Sequence, residues 1–528
     1  MSDKEFENIV DIGNIENIFD IENTKDIEST KIIENTKNIE CTKNVENIEN
    51  IAKKSKKKTT DSFSSTKKSK KKTTDSFSST KKTKKKTTDS FSSNDGTCPE
   101  CLQPQTGNKW CNPCNSKHFQ DEFPDWTSEN KEIDKFIQET QLNALGRSSF
   151  IEWVDYKKFF NVQYLARGGF GTVYKANWLK GPIVEWNMKT QTWTREIVGS
   201  DKYTVALKSL NNSVNITKEF LDEVKTCLYC SGNYLIVRCL GITKHSETGN
   251  YMMIMDYGYG GNLRKYLGQN FTLFDWYKKL SLARDIAEGL RFIHKRGCVH
   301  RDFHSGNIVY NGSWPCITDL GLCRPADKQL DTDEIYGVLP YLGPEVIRGQ
   351  TYTSASDVYS LGVIMWEISC AELPFGNRSH DINLVIDICK GERPKFKDNV
   401  PKCYVELVNR CWESDPKDRP EADEVLETLE KWFVEFRDSY NSNSKLSEIV
   451  KQFREADKID DEKVKTKEIE QEIENNMIPE LSAHPSAVYT SRVFKLSEFS
   501  NNSFSKKNYE VTSREINFDA FILPSDLE

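Results

Sequence analysis

A chain of 528 residues is too long for one compact core, so its length predicts two or more segments. The formal net charge is −7, the start MSDKEFENIV has no basic stretch before an apolar run, and no stretch reaches about 18 apolar residues, so neither a signal peptide nor a transmembrane segment is predicted. We therefore expect an intracellular, cytoplasmic protein in which the paired members of its 15 cysteines bind metal rather than form disulfides.

The first predicted segment, residues 1–52, carries a loose six-residue repeat: IENTKD, IESTKI, IENTKN, IECTKN. It is acidic, since residues 1–50 hold 5 Lys against 13 Asp and Glu. Six residues is neither a helical nor a heptad period, so these isoleucines do not line one helix face. The composition favours disorder, and a stacked solenoid is the alternative.

The second segment, residues 53–94, holds three 14-residue repeats: KKSKKKTTDSFSST twice, then KKTKKKTTDSFSSN. Its 15 Lys stand against 3 Asp, a composition that cannot bury a core and predicts disorder. The lysines could bind nucleic acid, an anionic surface or an import receptor, so nuclear entry is one expectation. A solvated linker is the alternative.

The third segment, residues 98–118, reads CPECLQPQTGNKWCNPCNSKH and has two CxxC pairs nine residues apart. Four thiolates in two such turns can surround a structural Zn²⁺ as a tetrahedron, and the candidate ligands are Cys98, Cys101, Cys111 and Cys114. Free cysteines in a short loop are the alternative. His118 is a spare candidate ligand, although a lone histidine is more often only a polar side chain.

The globular part begins near residue 130 with a predicted helix over NKEIDKFIQETQLNAL. Residues 159–434 read as strands first and helices later, at the length of one two-lobed domain. Within them, NWLKGPIVEWNMKTQTWTREIVGSDKY alternates enough for a solvent-side strand pair. Residues 435–528 are predicted to form a helix over KLSEIVKQFREADKIDDEKVKTKEIEQEIE and then a polar tail.

A glycine-rich stretch, LARGGFGTVYKA at residues 165–176, follows the first strands of the globular part. Gly168, Gly169 and Gly171 allow a hairpin turn to bring backbone N–H groups onto phosphates. Val173 then directs an apolar side chain at a flat ring. Ala166 stands where the pattern would have its first glycine, and alone the stretch is weak support for a phosphate site.

A lysine and a glutamate follow at a spacing that suits phosphate binding. VALK, residues 205–208, is a predicted half-buried strand whose Lys208 would face phosphate oxygens. KEFLDEVK is a predicted helix whose Glu223 can pair with Lys208. Taken singly, Lys208 would be an ordinary exposed strand lysine.

The stretch HRDFHSGN, residues 300–307, has the residue types of a phosphoryl-transfer loop. Asp302 is placed to accept a proton from an attacking hydroxyl, while His300 and Arg301 would hold the loop. Asn307 offers an oxygen to a metal, and Asp319 of ITDLGL would bind Mg²⁺ bridging the β- and γ-phosphates. These types suit a reaction that depends on positioning and charge neutralisation.

Taken in order, LARGGFGTV, VALK, FLDEV, HRDFHSGN, DLG, GPE and SASDVYSLG resemble a eukaryotic protein kinase domain over roughly residues 159–434. The resemblance implies an α+β fold with a β-rich N-lobe and a helical C-lobe, ATP and Mg²⁺ between the lobes, and protein substrates. The catalytic residues implied are Asp302, Lys208, Glu223, Asn307 and Asp319. The nucleotide-binding residues implied are Leu165, Gly168, Gly169, Phe170, Gly171, Val173, Ala206, Lys208, Met255, Asp256 and Gly258.

The resemblance also implies supporting roles. Met255 would be the gatekeeper before a hinge whose backbone holds adenine. Asp357 would brace the catalytic loop, and Glu345 of GPE would pair with Arg419. DLG replaces the usual DFG and GPE replaces APE, and neither change removes the metal-binding Asp319.

His304 is the main departure from the pattern. Serine/threonine kinases have a lysine here, paired with a threonine before APE, and in this chain the two places hold His304 and Val338. The AAR or RAA pattern of typical tyrosine kinases is also absent. With the pair Cys411-Trp412, the chain resembles the tyrosine-kinase-like group, whose members mostly phosphorylate serine and threonine. We expect that specificity, with tyrosine or dual specificity open.

Three hydroxyl residues lie in the activation segment from Asp319 to Glu345. Thr332 and Tyr336 are candidate targets of an upstream kinase, because Arg301 is the type of residue that pairs with a phosphorylated loop. Tyr341 is expected to pack. Two alternatives stay open: a pseudokinase scaffold, suggested by Ala166 and His304, and a nucleic-acid-binding or targeting arm built from the zinc and lysine-rich segments.

Overall fold

The computed structural model of the chain describes residues 96–167, 171–196, 202–210, 213, 218–325, 334–440, 446–471 and 483–495. Both repeat segments lie outside these residues, as do Gly168, Gly169, Phe170 and Thr332, so the predictions made for them remain predictions. Across the described ranges, no helix combines the length and apolar character needed to cross a membrane.

Strands dominate the first half of the described chain. In chain order they are β1 Glu152–Trp153, β2 Phe159–Arg167, β3 Gly171–Trp178, β4 Ile183–Asn187, β5 Thr192–Arg195, β6 Tyr203–Leu210, β7 Cys239–Lys244, β8 Tyr251–Asp256, β9 Cys298–Val299, β10 Ile308–Tyr310, β11 Pro315–Ile317, β12 Arg324–Pro325, β13 Glu334–Gly337 and β14 Arg492–Lys495.

Helices dominate the second half. In chain order, the helices of both halves of the described chain are α1 Asn112–Glu122, α2 Lys131–Leu142, α3 Lys218–Tyr229, α4 Leu263–Asn270, α5 Trp276–Lys295, α6 Pro344–Ile347, α7 Ser354–Cys370, α8 Ile382–Lys390, α9 Lys402–Cys411, α10 Ala422–Asp438 and α11 Glu448–Gln471. The predicted α+β arrangement, with a β-rich lobe before a helical lobe, is confirmed.

A six-stranded sheet forms the first lobe, in the order β1-β7-β8-β6-β3-β2. Side chains alternate across β6, so Leu207 is fully buried on one face while Ala206 and Lys208 share the other. Ala206 lies opposite Met255 on β8, and Lys208 lies opposite Val173 on β3. The lysine predicted to face phosphates therefore stands in the middle of the sheet.

Two long helices form the centre of the second lobe. α7 is buried without interruption from Ser356 to Cys370, as expected for a helix that is covered on all sides. α5 is amphipathic and packs against α7 and α10. Its buried apolar side chains recur at three- and four-residue spacing: Leu280, Ala283, Ile286, Ala287, Leu290 and Ile293.

A buried ion pair joins the end of the activation segment to the second lobe. The guanidinium of Arg419 donates from Nη1 and Nη2 to the two carboxylate oxygens of Glu345, at 2.7 Å each. Arg419 also donates to the carbonyl oxygens of Glu413 and Ala355. This is the ion pair that the resemblance implied. Both partners are buried, and the additional hydrogen bonds of Arg419 help to offset the cost of burying its charge.

α11 extends the core of the second lobe beyond the predicted boundary at residue 434. Phe453 is fully buried, and its ring centroid lies 5.4 Å from that of Trp276. Asp457 Oδ1 accepts the backbone N–H of Trp276 at 2.7 Å, which satisfies a donor at the start of α5. The predicted C-terminal helix is thus part of the lobe.

The hairpin of β4 and β5 covers the cysteine-rich segment. Trp193 stacks on Phe119 of α1 with centroids 4.4 Å apart, and Trp186 stacks on His118 at 3.8 Å. The prediction of a solvent-side strand pair is therefore wrong for one face of the hairpin. Its two tryptophans supply the apolar surface that the short segment cannot provide for itself.

α2 connects the cysteine-rich segment to the kinase-like sheet. Asn130 caps this helix by accepting the N–H groups of Glu132 and Ile133. Ile133 and Ile137 are fully buried in the same core as Phe220 of α3. α2 therefore shares a core with the helix that carries Glu223.

Candidate active site

Lys208 joins two acidic side chains at the face of the sheet. Its Nζ donates to Glu223 Oε1 at 2.6 Å and to Asp319 Oδ1 at 2.7 Å. Burial alone would lower the pKa of Lys208, but the charges of Asp319 and Glu223 outweigh burial and hold the pKa above its usual value. The ammonium group therefore stays charged.

The turn that follows Asp319 allows Glu223 to approach. Asp319 has φ 62° and ψ 63°, in the left-handed region, which turns the chain sharply. A Cβ on Gly321 would lie only 3.0 Å from Glu223 Oε2. Leu320, which stands for the usual phenylalanine, is 1% exposed and anchors the turn in the core.

Asp357 holds the loop that carries Asp302. Its Oδ2 accepts the backbone N–H of His300 at 2.7 Å, and its Oδ1 accepts that of Arg301 at 3.0 Å. The His300 ring lies 3.1 Å from the carbonyl oxygen of Thr318, just before Asp319. The two predicted loops are thereby tied together.

Asp302 and Asn307 lie in direct contact. Asn307 Nδ2 donates to the backbone oxygen of Asp302 at 2.9 Å and to its Oδ2 at 3.1 Å. Because Nδ2 is used in this way, Oδ1 is the atom that Asn307 can offer to a metal ion. Burial would raise the pKa of Asp302, but His304 and the hydrogen bond from Ser491 outweigh it and hold the pKa below its usual value.

His304 lies beside Asp302 and has a defined proton position. Its Nδ1 accepts the N–H of Gly306 at 3.0 Å, so the ring proton of the neutral imidazole is on Nε2. Nε2 is 3.5 Å from Asp302 Oδ1 and 3.1 Å from Ser491 Oγ. Val338 is buried, at 2% exposure. The imidazole thus supplies an N–H donor where a lysine would supply an ammonium.

The structure describes part of the predicted nucleotide-binding set. Val173 and Ala206 share the face of Lys208, Leu165 is 43% exposed and Met255 is buried. The hinge approaches β10 closely, since a Cβ on Gly258 would lie 2.7 Å from Val309 Cβ. The N–H of Asp256 donates to the carbonyl oxygen of Arg238, so this N–H is already used.

Part of the predicted polar tail, residues 483–495, lies across this site. Ser491 Oγ donates to Asp302 Oδ2 at 2.6 Å, and β14 pairs antiparallel with β13 of the activation segment. Sequence analysis missed this contact. The available signal was a short apolar cluster in an otherwise polar stretch: Val488, Tyr489, Val493 and Phe494.

The four cysteines of the CxxC pairs meet at one point. Their sulfurs all lie within 4.8 Å of one another, with Cys98 to Cys114 at 3.8 Å and Cys101 to Cys111 at 3.6 Å. Zn–S bonds of about 2.3 Å in a tetrahedron place the sulfurs about 3.8 Å apart. His118 is not in the cluster, because its Nε2 lies 2.9 Å from Glu100 Oε2.

Several curated proteins are similar to this chain over the same region. A probable serine/threonine-protein kinase of Dictyostelium discoideum is 27% identical over 278 residues, which is 48% of this chain and 18% of that protein. RGS domain-containing serine/threonine-protein kinase A of that organism is 29% identical over 230 residues, 43% of this chain and 20% of that protein. A probable LIM domain-containing serine/threonine-protein kinase is 31% identical over 172 residues, 32% of this chain and 26% of that protein.

The aligned region is therefore only about a fifth to a quarter of the length of these relatives. The model of the family described as protein tyrosine and serine/threonine kinase matches residues 160–429, more than half of the chain. The match spans both lobes and every catalytic-loop residue described above. The chain belongs to the protein tyrosine and serine/threonine kinase family.

Proposed function

We propose that this chain is an ATP-dependent protein kinase that transfers the γ-phosphoryl group of ATP to serine and threonine hydroxyls of proteins. The observation that carries the proposal is the bridge from Lys208 to Glu223 and Asp319, at 2.6 and 2.7 Å. A lysine held in this way is charged and aligned for phosphate oxygens. A scaffold that binds no nucleotide would have no use for this alignment.

Each residue has a distinct part in the proposed transfer. Asp302 accepts the proton that the attacking hydroxyl releases, and its lowered pKa keeps it ionised for that purpose. Lys208 binds phosphate oxygens while Glu223 orients it. The oxygens of Asn307 and Asp319 are hard donors that fit Mg²⁺, which when bound with ATP neutralises phosphate charge.

The adenine and ribose would lie against the apolar face beside the hinge. The residues proposed to form it are Leu165, Gly168, Gly169, Phe170, Gly171, Val173, Ala206, Met255, Asp256 and Gly258. Val173 and Ala206 support this assignment because they share one face of the sheet with Lys208. Met255 is buried and lies opposite Ala206 on the neighbouring strand.

Serine and threonine specificity rests on two supports. The relatives named above are described as serine/threonine-protein kinases. His304 directs an N–H toward the proposed acceptor position, and Val338 is buried, so both residues agree with the tyrosine-kinase-like pattern.

The proposal is tested with the full chain, γ-labelled ATP, Mg²⁺ and a mixture of generic acceptor proteins, followed by phosphoamino-acid analysis. The expected result is labelled acceptor containing phosphoserine and phosphothreonine. Label mainly on tyrosine would overturn the specificity. ATP binding without any transfer would favour the scaffold.

His304 is expected to assist transfer through its Nε2–H. We predict that His304→Ala lowers kcat about tenfold, the order of one lost hydrogen bond, with KM for ATP unchanged. His304→Lys should restore most of the rate, because a donor returns to the same place. Steady-state kinetics of the two variants decides this, and equal kcat for the alanine variant and the unaltered chain would contradict it.

We also propose that Cys98, Cys101, Cys111 and Cys114 bind one structural zinc ion. The sulfur separations near 3.8 Å support tetrahedral coordination. Such a site would have no open position for catalysis. Its effect would be on folding, because α1 begins directly after Cys111 and carries Phe119 into the contact with Trp193.

Zinc content measured by atomic emission tests this site. We expect about one zinc per purified chain, lost in the double variant Cys98→Ser, Cys111→Ser together with a fall in the thermal midpoint. Cys403→Ser, in α9 and outside the cluster, is the matched control and should retain zinc. A chain purified under metal-sparing conditions without zinc would refute the proposal.

We also propose sites for regulation and for partner binding. Thr332 and Tyr336 are candidate targets of an upstream kinase. The lysine-rich repeats at residues 53–94 are a candidate surface for nucleic acid or an anionic membrane. Tyr341 is a poor candidate, because it is 2% exposed and its hydroxyl lies 3.0 Å from Ser305 Oγ.

A further inference from the structure

The tail segment, defined as residues 483–495, is anchored on the second lobe before it reaches the active site. The Tyr489 hydroxyl donates to the carbonyl oxygen of Pro374 at 3.0 Å. The Tyr489 ring lies 4.8 Å from the guanidinium of Arg264 and 4.8 Å from the His380 ring. Val488 N–H donates to His380 Nδ1 at 3.1 Å. These contacts fix the direction in which the segment approaches.

After the active site the segment continues as a strand. β14 pairs antiparallel with β13, with Gly337 opposite Arg492 and Ile335 opposite Phe494. Adding a strand to an exposed edge is a general way to bind an extended peptide, since the backbone supplies affinity and alternate side chains supply selectivity. The edge used here belongs to the activation segment of the kinase.

The side chain three residues after Ser491 fills an apolar pocket. Phe494 is 6% exposed, whereas Val493 before it is 44% exposed. Arg492 covers the pocket, with its guanidinium 4.7 Å from the Phe494 ring and Nη2 donating to the His380 carbonyl oxygen at 2.9 Å. Phe494 belongs to a buried apolar cluster whose other members include Ile335, Leu342, Val346, Phe375, Leu384 and Ile388.

Ser491 is presented between these two anchors in the manner of an acceptor. Its Oγ donates to Asp302 Oδ2 at 2.6 Å and accepts from His304 Nε2 at 3.1 Å. A hydroxyl has one proton and two lone pairs, so one lone pair remains for an electrophile. The 2.6 Å separation is within the reach of a general base. Thr490, the neighbouring hydroxyl, is exposed.

We propose that Ser491 is a phosphorylation site of this chain's own active site, and that residues 488–494 show the substrate class: an extended peptide with an acceptor serine and an aromatic residue three positions after it. The proposal rests on the kinase function proposed above. It assigns the tail segment as a substrate in cis rather than as a passive extension.

The transfer balances with ATP as the second substrate. Ser491 Oγ forms a bond to the γ-phosphorus, the bond from that phosphorus to the β,γ-bridging oxygen breaks, and ADP leaves with the electron pair. The hydroxyl proton passes to Asp302. The products are ADP and phospho-Ser491.

Two consequences follow from the position of the product. While it is unmodified, the tail segment covers Asp302 and excludes other protein substrates. After transfer, a phosphate group would stand beside the Asp302 carboxylate, and like charges repel. The phosphorylated segment therefore leaves and the site opens, so cis phosphorylation of Ser491 should raise activity toward added acceptors.

In the first test, the dephosphorylated full chain is incubated with Mg²⁺ and ATP, and mass spectrometry measures the phosphate on the tail segment over time. We expect modification of Ser491 at a rate that does not change over a hundredfold range of chain concentration, because a tethered substrate has a fixed local concentration. Ser491→Ala should remove the phosphate, while Thr490→Ala, the matched control, should retain it.

A generic acceptor in the same reaction separates the two proposals. Acceptor phosphorylated with Ser491 unmodified overturns the cis proposal and leaves the kinase function standing. A rate proportional to chain concentration overturns the cis assignment. Absence of transfer to either acceptor refutes the kinase function, and with it the phosphorylation of Ser491.

The second test needs no ATP and therefore has a readout apart from activity. Hydrogen exchange of the backbone amides in β13 and β14 should be protected in the full chain. Phe494→Asp should remove this protection and slow Ser491 phosphorylation by about tenfold or more, since a buried aromatic anchor is lost. Val493→Asp, on the exposed side, should do neither. Equal exchange in the unaltered chain and Phe494→Asp would overturn the docked arrangement.

Discussion

Asp302→Asn is expected to abolish most phosphoryl transfer, lowering kcat by about 10² to 10⁴, the range that a general base contributes. Asparagine keeps the size of the side chain and can still accept the hydrogen bond from Asn307. It cannot accept a proton from a hydroxyl. The measurement is the initial rate with γ-labelled ATP and a generic acceptor.

Two controls separate chemistry from folding in the Asp302→Asn variant. ATP affinity, measured by calorimetry, should be unchanged, because Lys208, Glu223 and Asp319 are untouched. Asp438→Asn, at the exposed end of α10, makes the same chemical change without an effect on rate. If Asp302→Asn kept more than a tenth of the rate, Asp302 would not be the base.

Arg419→Ala is expected to cause a large loss of stability. Removing one partner of a buried ion pair costs about 3 to 5 kcal/mol, because the remaining charge, here Glu345, is left without compensation. For a domain of this size that loss lowers the thermal midpoint by roughly 10 °C. Differential scanning fluorimetry of the full chain measures the shift.

Arg410→Ala is the matched control for Arg419→Ala. Arg410 pairs with Glu424 on the surface, where both side chains are about half exposed, and such pairs are worth about 0 to 1 kcal/mol. Its midpoint should move by no more than about 3 °C. Similar shifts in the two variants would mean that the Arg419 pair is not the source of the stability.

The residues of the candidate active site could largely be predicted from sequence, because the proposed chemistry restricts residue types. Lys208, Glu223, Asp302 and Asp319 stand in motifs whose order leaves few alternatives, and the structure brings Lys208 within hydrogen-bond distance of both Glu223 and Asp319. The hydrogen bonding of His304 was harder to predict. Its identity was visible as a departure, but the proton on Nε2 depends on the N–H of Gly306.

Long-range packing was the part that the sequence did not reveal. Trp186 and Trp193 were visible in a predicted solvent-side hairpin, and two tryptophans there indicate a covered face, yet nothing local identified α1 as the cover. The pairing of β14 with β13 joins segments more than 150 residues apart. A four-residue strand in a polar stretch has no local pattern that selects such a partner.

The packing of α11 on α5 has a practical consequence for solubility. A fragment that ended at residue 434 would lack Phe453 and Asp457. The Trp276 indole would then be exposed, and the backbone N–H of Trp276 would lose its acceptor. Exposed apolar surface of this kind promotes aggregation during folding. The smallest soluble catalytic fragment should therefore extend through α11, beyond the length that the family match alone suggests.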